Sequence, residues 1–180
     1  MPKTYNTIPS VSTGDVYTAT AHNNIVTSVN NYRVPPACTA YRSSDLTSYA
    51  SAAITWQAVL FDTESPSDPM WASGSPTQIT VRTAGLYLVT FSGYTTATAT
   101  VTLVVPRVYV GASIVAQQNS PVQSGTDSGF SFSTVLSCAV GNVITADVAY
   151  VGGSAYVIKG AASTTNQQTR LSVAWLGQVS

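Results

Sequence analysis

The chain has 180 residues, 44% of them apolar, and its seven basic and seven acidic side chains leave no net charge. Charged residues make up only 8% of the chain, against about 25% in a typical soluble domain, and 25 Thr, 23 Ser, 8 Asn and 8 Gln supply the polar surface instead. This balance supports one domain with a real core, argues against disorder, and denies the phosphate-neutralising patch on which nucleic-acid affinity rests. No nucleic-acid partner is therefore expected. The start, MPKTYNTIPSVSTGD, has no apolar run, and the longest later one, VTLVVPRVYV, is interrupted by Pro106 and Arg107, so neither a signal peptide nor a membrane span is expected.

The first 36 residues read differently from the rest. Thr18 or Thr20 can cap a short helix in which His22, Ile25, Val29 and Tyr32 recur at spacings of three, four and three, the period of one helical face. Val34, Pro35 and Pro36 stop it. About three turns are too few for stability in isolation, so the segment needs its own domain, a partner or a second copy to pack against.

From residue 37 onward the composition favours strands, because Thr, Val and Tyr suit a pleated surface. Cys38 to Tyr41 and Ile54 to Phe61 are strand candidates, and Ile79 and Val81 share a face. In LYLVTFSGY, Leu86 and Leu88 oppose Tyr87, Val89 and Phe91, which reads as a strand covered on both faces. Val101, Leu103 and Val105 alternate next; Pro106 points to an edge or a bulge, and Val108 and Val110 resume before Gly111. QQNSPVQSGTDSG reads as a loop. Beyond it Phe130, Phe132, Leu136, Cys138 and Val140 share a face, Gly141 and Asn142 turn the chain, and Ile144, Ala146, Val148 and Tyr150 return. A strand near Ala155 to Ile158 and the closing alternation of Leu171, Val173 and Trp175 bring the total to roughly eight to ten strands, the pattern of a sandwich or jelly roll.

Residues able to do chemistry are few. The single histidine, His22, falls in the leader, so a catalytic triad has no base, and no GxSxG, HExxH, Walker or GxGxxG spacing occurs. Asp127-Ser128-Gly129 resembles an aspartic-protease triplet, but that chemistry needs two such carboxylates, and Ser124, Gly125, Asp127 and Gly129 read better as a tight turn. Asp62, Glu64 and Asp68 form the one acidic cluster, a weak calcium candidate that matches no EF-hand spacing. Cys38 and Cys138 read as buried free thiols, although a jelly roll can bring such strands together. No enzyme activity and no cofactor are expected. The aromatic residues Trp56, Phe61, Trp71, Tyr87, Phe91, Phe130, Phe132, Tyr150 and Trp175 are assigned to core and subunit packing.

Two resemblances sharpen the reading. Phe61, Trp71, Ile79, Val81, Gly85, Tyr87 and Phe91, taken in order, resemble the front half of the tumour-necrosis-factor and complement globular-head jelly roll. FSFSTVLSCAVGNVITADVAY resembles that family's paired strands, and TRLSVAWLGQ its terminal strand, so the likeness spans residues 37 to 178. It implies an all-β jelly-roll sandwich that assembles as a homotrimer. The leader TGDVYTATAHNNIVTSV is similar to a short segment that begins many tailed-bacteriophage structural proteins, with Gly14, Asp15, Thr18, Ala19, Asn23 or Asn24, and Ile25 in the matching places.

Together these imply a virion protein with an anchoring segment at 1–36, carried by Asp15, Thr18, His22, Ile25, Val29 and Tyr32, and a trimeric head at 37–180. The expected function is non-enzymatic decoration of a phage capsid, with capsid or tail proteins as partners. The alternative is a tail-associated adhesin that binds host-surface glycan or protein through exposed loops such as QQNSPVQSGTDSG.

Overall fold

The computed structural model describes residues 35–49, 56–65, 70–97, 103–123, 125–151, 156–160 and 168–178, together with residues 18, 20, 22, 23, 25, 26 and 29. In these residues the strands are β1 (Ala37–Tyr41), β2 (Leu46–Tyr49), β3 (Gln57–Ala58), β4 (Thr63–Ser65), β5 (Gln78–Thr80), β6 (Gly85–Ala97), β7 (Leu103–Val110), β8 (Ser113–Gln117), β9 (Ser120–Pro121), β10 (Asp127–Cys138), β11 (Val143–Val151), β12 (Tyr156–Ile158) and β13 (Arg170–Gly177). They form two antiparallel sheets. The seven-stranded sheet runs β2-β12-β6-β13-β1-β4 with β10 along the free edge of β6, and the six-stranded sheet runs β3-β11-β7-β8 with β5 on β11 and β9 on β7.

Period-two alternation decides which side chains meet between the sheets. Tyr87, Val89 and Phe91 of β6, Phe130 of β10 and Leu171, Val173 and Trp175 of β13 face Val104 and Val108 of β7 and Ile144, Ala146, Val148 and Tyr150 of β11. Phe91 is met edge-on by Phe130, with ring centroids 5.0 Å apart, and by Phe132 at 6.0 Å. Each fully buried large apolar side chain contributes about 1.5–3 kcal/mol, and charge is almost excluded from this interior. Arg42 is the exception: its Nη1 donates to the Leu60 carbonyl at 2.8 Å, its Nε to the Ser44 carbonyl at 3.1 Å, and Asp62 lies 3.5 Å away.

Turn chemistry fixes the register. Val110 pairs with Ser113, so Gly111 and Ala112 make a two-residue hairpin in which Gly111 takes φ of 59°, the region that the primed turns require. Between β10 and β11, Gly141 at φ of 86° sits in a turn closed by Asn142 N–H on the Ala139 carbonyl and by Ala139 N–H on Asn142 Oδ1.

Several expectations need correction. Val140 belongs to that turn and is 64% exposed, so it leaves the alternating face of Phe130 and Cys138. The stretch 54–61 yields only the two-residue β3 among its described residues. The expected loop 117–129 contains β9, and Asp127, Ser128 and Gly129 open β10 rather than turning the chain. Pro106 sits in the middle of a central strand, opposite Val148. It is tolerated because β8 and β9 leave a gap there: its carbonyl accepts the Gln118 N–H at 3.1 Å, and its missing donor faces the break between the two short strands.

Leu86 and Leu88 do not have a covered face within one chain, since Leu88 is 37% exposed. Cys38 and Cys138 are buried free thiols; β13 and β6 separate their strands, about 14 Å at three strand spacings, too far for a disulfide. The helix expected over 18–32 lies largely outside the described residues. Within it the His22 N–H bonds the Thr18 carbonyl at 3.0 Å, and no helical element is established among the described residues.

Candidate functional site

The two sheets present outer faces of different chemistry. On the seven-stranded sheet the residues left outside by the core fall into cross-strand rows. Val135, Leu88, Ala174 and Ala37 make one row across β10, β6, β13 and β1. The next is Ser133, Thr90, Ser172, Thr39 and Ser65 on β4, a row made wholly of hydroxyls. Thr90 and Ser133 share a hydrogen bond of 2.8 Å, and the Thr39 hydroxyl donates to Ser172 at 3.0 Å. Val135 and Leu176 are 54% and 55% exposed. Such a surface is inexpensive to cover, because its apolar groups gain by leaving water and its hydroxyls already bond one another.

The six-stranded sheet carries the opposite pattern, a compact polar and aromatic cluster. Asp147 on β11 lies across from Arg107 on β7, and Thr145 across from Tyr109. Arg107 donates Nε to Asp147 Oδ1 at 3.0 Å and Nη2 to Oδ2 at 2.8 Å, a two-point contact. The Tyr109 hydroxyl donates to the same Oδ2 at 2.8 Å. The Arg107 guanidinium lies over the Trp56 ring, 2.9 Å from its centroid, and within 5.0 Å of the Tyr109 ring centre. Burial, then the hydrogen bond and charge of Asp147, push the Tyr109 phenol up to about 12. For Arg107 burial works downward, but the hydrogen bond and charge of Asp147 outweigh it and raise the guanidinium above its usual value. Beside the cluster opens a hollow of about 390 Å³ lined by Trp56, Ala58, Thr77, Tyr109, Gly111, Ala112, Thr145, Ala146 and Asp147.

These positions redistribute the aromatic residues assigned to packing. Phe61, Trp71, Tyr87, Phe91, Phe130, Tyr150 and Trp175 are at most 8% exposed and belong to the interior of one chain, so they are not placed to meet a second subunit. Phe132 is half-buried against the same core. Trp56, 38% exposed, belongs to the polar cluster. Of the exposed aliphatic residues, Leu88, Val135 and Leu176 occupy the open sheet face instead.

Of the anchoring residues, Asp15 and Tyr32 lie outside the described residues; Thr18, His22, Val29 and Ile25 are described singly. In the acidic stretch, Asp68 also lies outside them. The Asp62 carboxylate accepts the Ser43 N–H at 2.6 Å and the Thr63 hydroxyl at 3.1 Å. Burial opposes its ionisation, yet Ser43, Thr63 and the Arg42 charge together hold its pKa below the usual value. Among the described residues no group of three His, Cys, Asp or Glu side chains is placed to hold a metal ion. The Arg107–Asp147 pair escaped the sequence reading, although the signal was there: single opposite charges at outward positions of two otherwise apolar strands.

No protein-family model matches the sequence, and no curated protein matches it significantly. Solved structures do. The Eiger TNF of S. frugiperda superposes with a TM-score of 0.53 at 12% identity, over 80% of this chain and 94% of that one. The globular domain of zebrafish complement 1qA protein superposes with a TM-score of 0.51 at 11% identity, over 80% of this chain and 99% of that one. At these identities the likeness is one of fold: the chain has a tumour-necrosis-factor-like jelly roll. Among the described residues no helix is long and apolar enough to cross a membrane.

Proposed function

We propose that this chain is a non-enzymatic structural protein of a phage virion, whose head associates as a homotrimer and whose N-terminal segment fixes it to the particle. The observation that carries the trimer is the open face of the seven-stranded sheet, where a hydroxyl row runs beside exposed Leu88, Val135 and Leu176. A contact between unlike patches closes without leftover surface when it forms a ring, and three jelly rolls around an axis are such a ring. The virion assignment is supported by the leader pattern of Gly14, Asp15, Thr18, Ala19 and Ile25. Non-enzymatic action fits a chain whose one histidine lies in that leader.

Light scattering on the purified chain at micromolar concentration tests the assembly. The expected mass is three subunits, and Leu88→Asp combined with Val135→Asp should reduce it to one; a wild-type chain that already runs as a single subunit overturns the trimer. Copy number in purified particles tests the location. Hundreds per particle support capsid decoration, whereas a handful confined to the tail favours the second reading, a receptor-binding adhesin. That reading draws support from the Trp56, Arg107, Tyr109 and Asp147 cluster, because a trimer closed through one sheet leaves the opposite sheet free.

A further inference from the structure

We infer that the hollow beside Trp56 is a binding site for a neutral sugar ring, free or at the end of a glycan. The inference gives the adhesin reading its ligand and rests on that reading for its biological meaning.

The volume, about 390 Å³, lies in the range of roughly 300–1,000 Å³ typical of small-molecule sites. Its walls combine two aromatic side chains, Trp56 and Tyr109, with two threonines, Thr77 and Thr145, and the Asp147 carboxylate. A pyranose needs this mixture: apolar C–H faces to lie against a ring, and hydroxyl edges to exchange hydrogen bonds. The Trp56 indole N–H and the hydroxyls of Thr77 and Thr145 make no hydrogen bond with another described residue, so they are available to such edges.

Charge decides between ligand classes. Arg107 and Asp147 neutralise one another through two hydrogen bonds, and the carboxylate is further tied to Tyr109. With that pair closed on itself, a charged ligand of either sign would give up its hydration without finding an unpaired counter-charge in the wall, whereas an uncharged polyol needs none. A purely apolar ligand would strand the threonine hydroxyls and the indole N–H without water or partner. The aromatic wall is also held in advance. Arg107 is clamped by Asp147 and lies on the Trp56 ring, and Tyr109 is held by the same carboxylate, so little side-chain freedom is lost on binding.

The test is a titration of the full chain, followed through the indole N–H cross-peak of Trp56 in a nitrogen–proton correlation spectrum, assigned by its loss in Trp56→Phe. The probes are methyl glucoside, methyl galactoside and N-acetylglucosamine, with sialic acid as the charged comparison. At least one neutral sugar should shift the peak with a Kd of order millimolar, which is ordinary for a single ring. Ala112→Trp, which fills the hollow from its exposed rim without removing an existing contact, should weaken binding by about tenfold or more. Absence of any shift up to about 100 mM of each neutral sugar, tighter binding of sialic acid, or a shift unaffected by Ala112→Trp overturns the inference. A neutral polysaccharide binding more tightly than its monomer assigns the site to glycan ends, and equal affinity assigns it to free sugar. Sugar binding is read on the purified chain and the adhesin role on particle location, so either can fail while the other stands.

Discussion

Gly85 shows how one residue sets the fit at the end of the longest strand. Its φ of 151° is a region that side chains rarely adopt. A Cβ placed there would collide with the Trp175 indole nitrogen and the Gly177 carbonyl. That same indole donates to the Ala84 carbonyl at 3.3 Å, so the ring cannot retreat without losing a bond. Gly85→Ala is therefore expected to destabilise the chain by about 2–4 kcal/mol, the combined order of overpacking and backbone strain. Urea unfolding followed through tryptophan fluorescence checks it, and a loss below about 1 kcal/mol contradicts the packing described. Tyr109 supplies a second outcome at this scale. Its pKa is raised, first by burial and then by Asp147, from 10 to about 12. Below pH 10 the phenol is protonated in both folded and unfolded chains. Between pH 10 and 12 the unfolded chain ionises first, so stability falls as pH rises through this window. Burial raises the Tyr150 phenol too, which adds to the loss in the same direction. Tyr109→Phe should flatten part of that fall; unfolding midpoints measured from pH 9 to 12 that decline identically in the variant exclude the assignment.

Among the elements, those with strict alternation were legible from sequence and those set by distant partners were not. In β11 and β13 every second residue is apolar, and Ile144, Ala146, Val148, Leu171 and Val173 are buried as that pattern requires. In β10 the alternation runs from Phe130 to Cys138 with Thr134 as its one polar member, then fails at Val140, because a turn imposes its own geometry and an apolar side chain there has no sheet to face. Asp127 misleads for the opposite reason. Turn-type residues form a strand end because Asp127 pairs with Thr96, whose hydroxyl donates to the carboxylate, and Lys159 lies 4.0 Å away. No local signal carries a partner 31 residues off. Pro106 is legible only in part: it does mark a broken edge, but the break lies in its neighbours β8 and β9 and not in its own strand. The candidate sites follow the same division. That Trp56 stands out as aromatic is plain from sequence, while its meeting with Arg107, Tyr109 and Asp147 depends on the pairing of β7 with β11 and of β3 with β11.

At the scale of the whole molecule, the scarcity of charge is what the proposed assembly turns on. Within the open sheet face, the rows through Val135 and Ser133 contain no charged side chain, and the adjoining row of Ser131, Ser92, Arg170 and Tyr41 contains one, Arg170. An interface built there would gain from aliphatic burial and hydroxyl contacts, neither of which responds to screening by salt, whereas charge-driven association weakens as the screening length falls from about 10 Å at 0.1 M to about 3 Å at 1 M. If the proposed trimer forms through this face, it is expected to keep its mass between about 0.05 and 1 M sodium chloride, with any change toward slight strengthening as apolar burial becomes more favourable. Sedimentation at several salt concentrations checks this directly. Dissociation at high salt would mean that charged groups such as Arg170 carry the contact, and the sheet face described here would then not be the surface that joins the subunits. Arg170→Ser separates the two cases, because it leaves a hydroxyl-and-aliphatic interface intact and dismantles an ionic one.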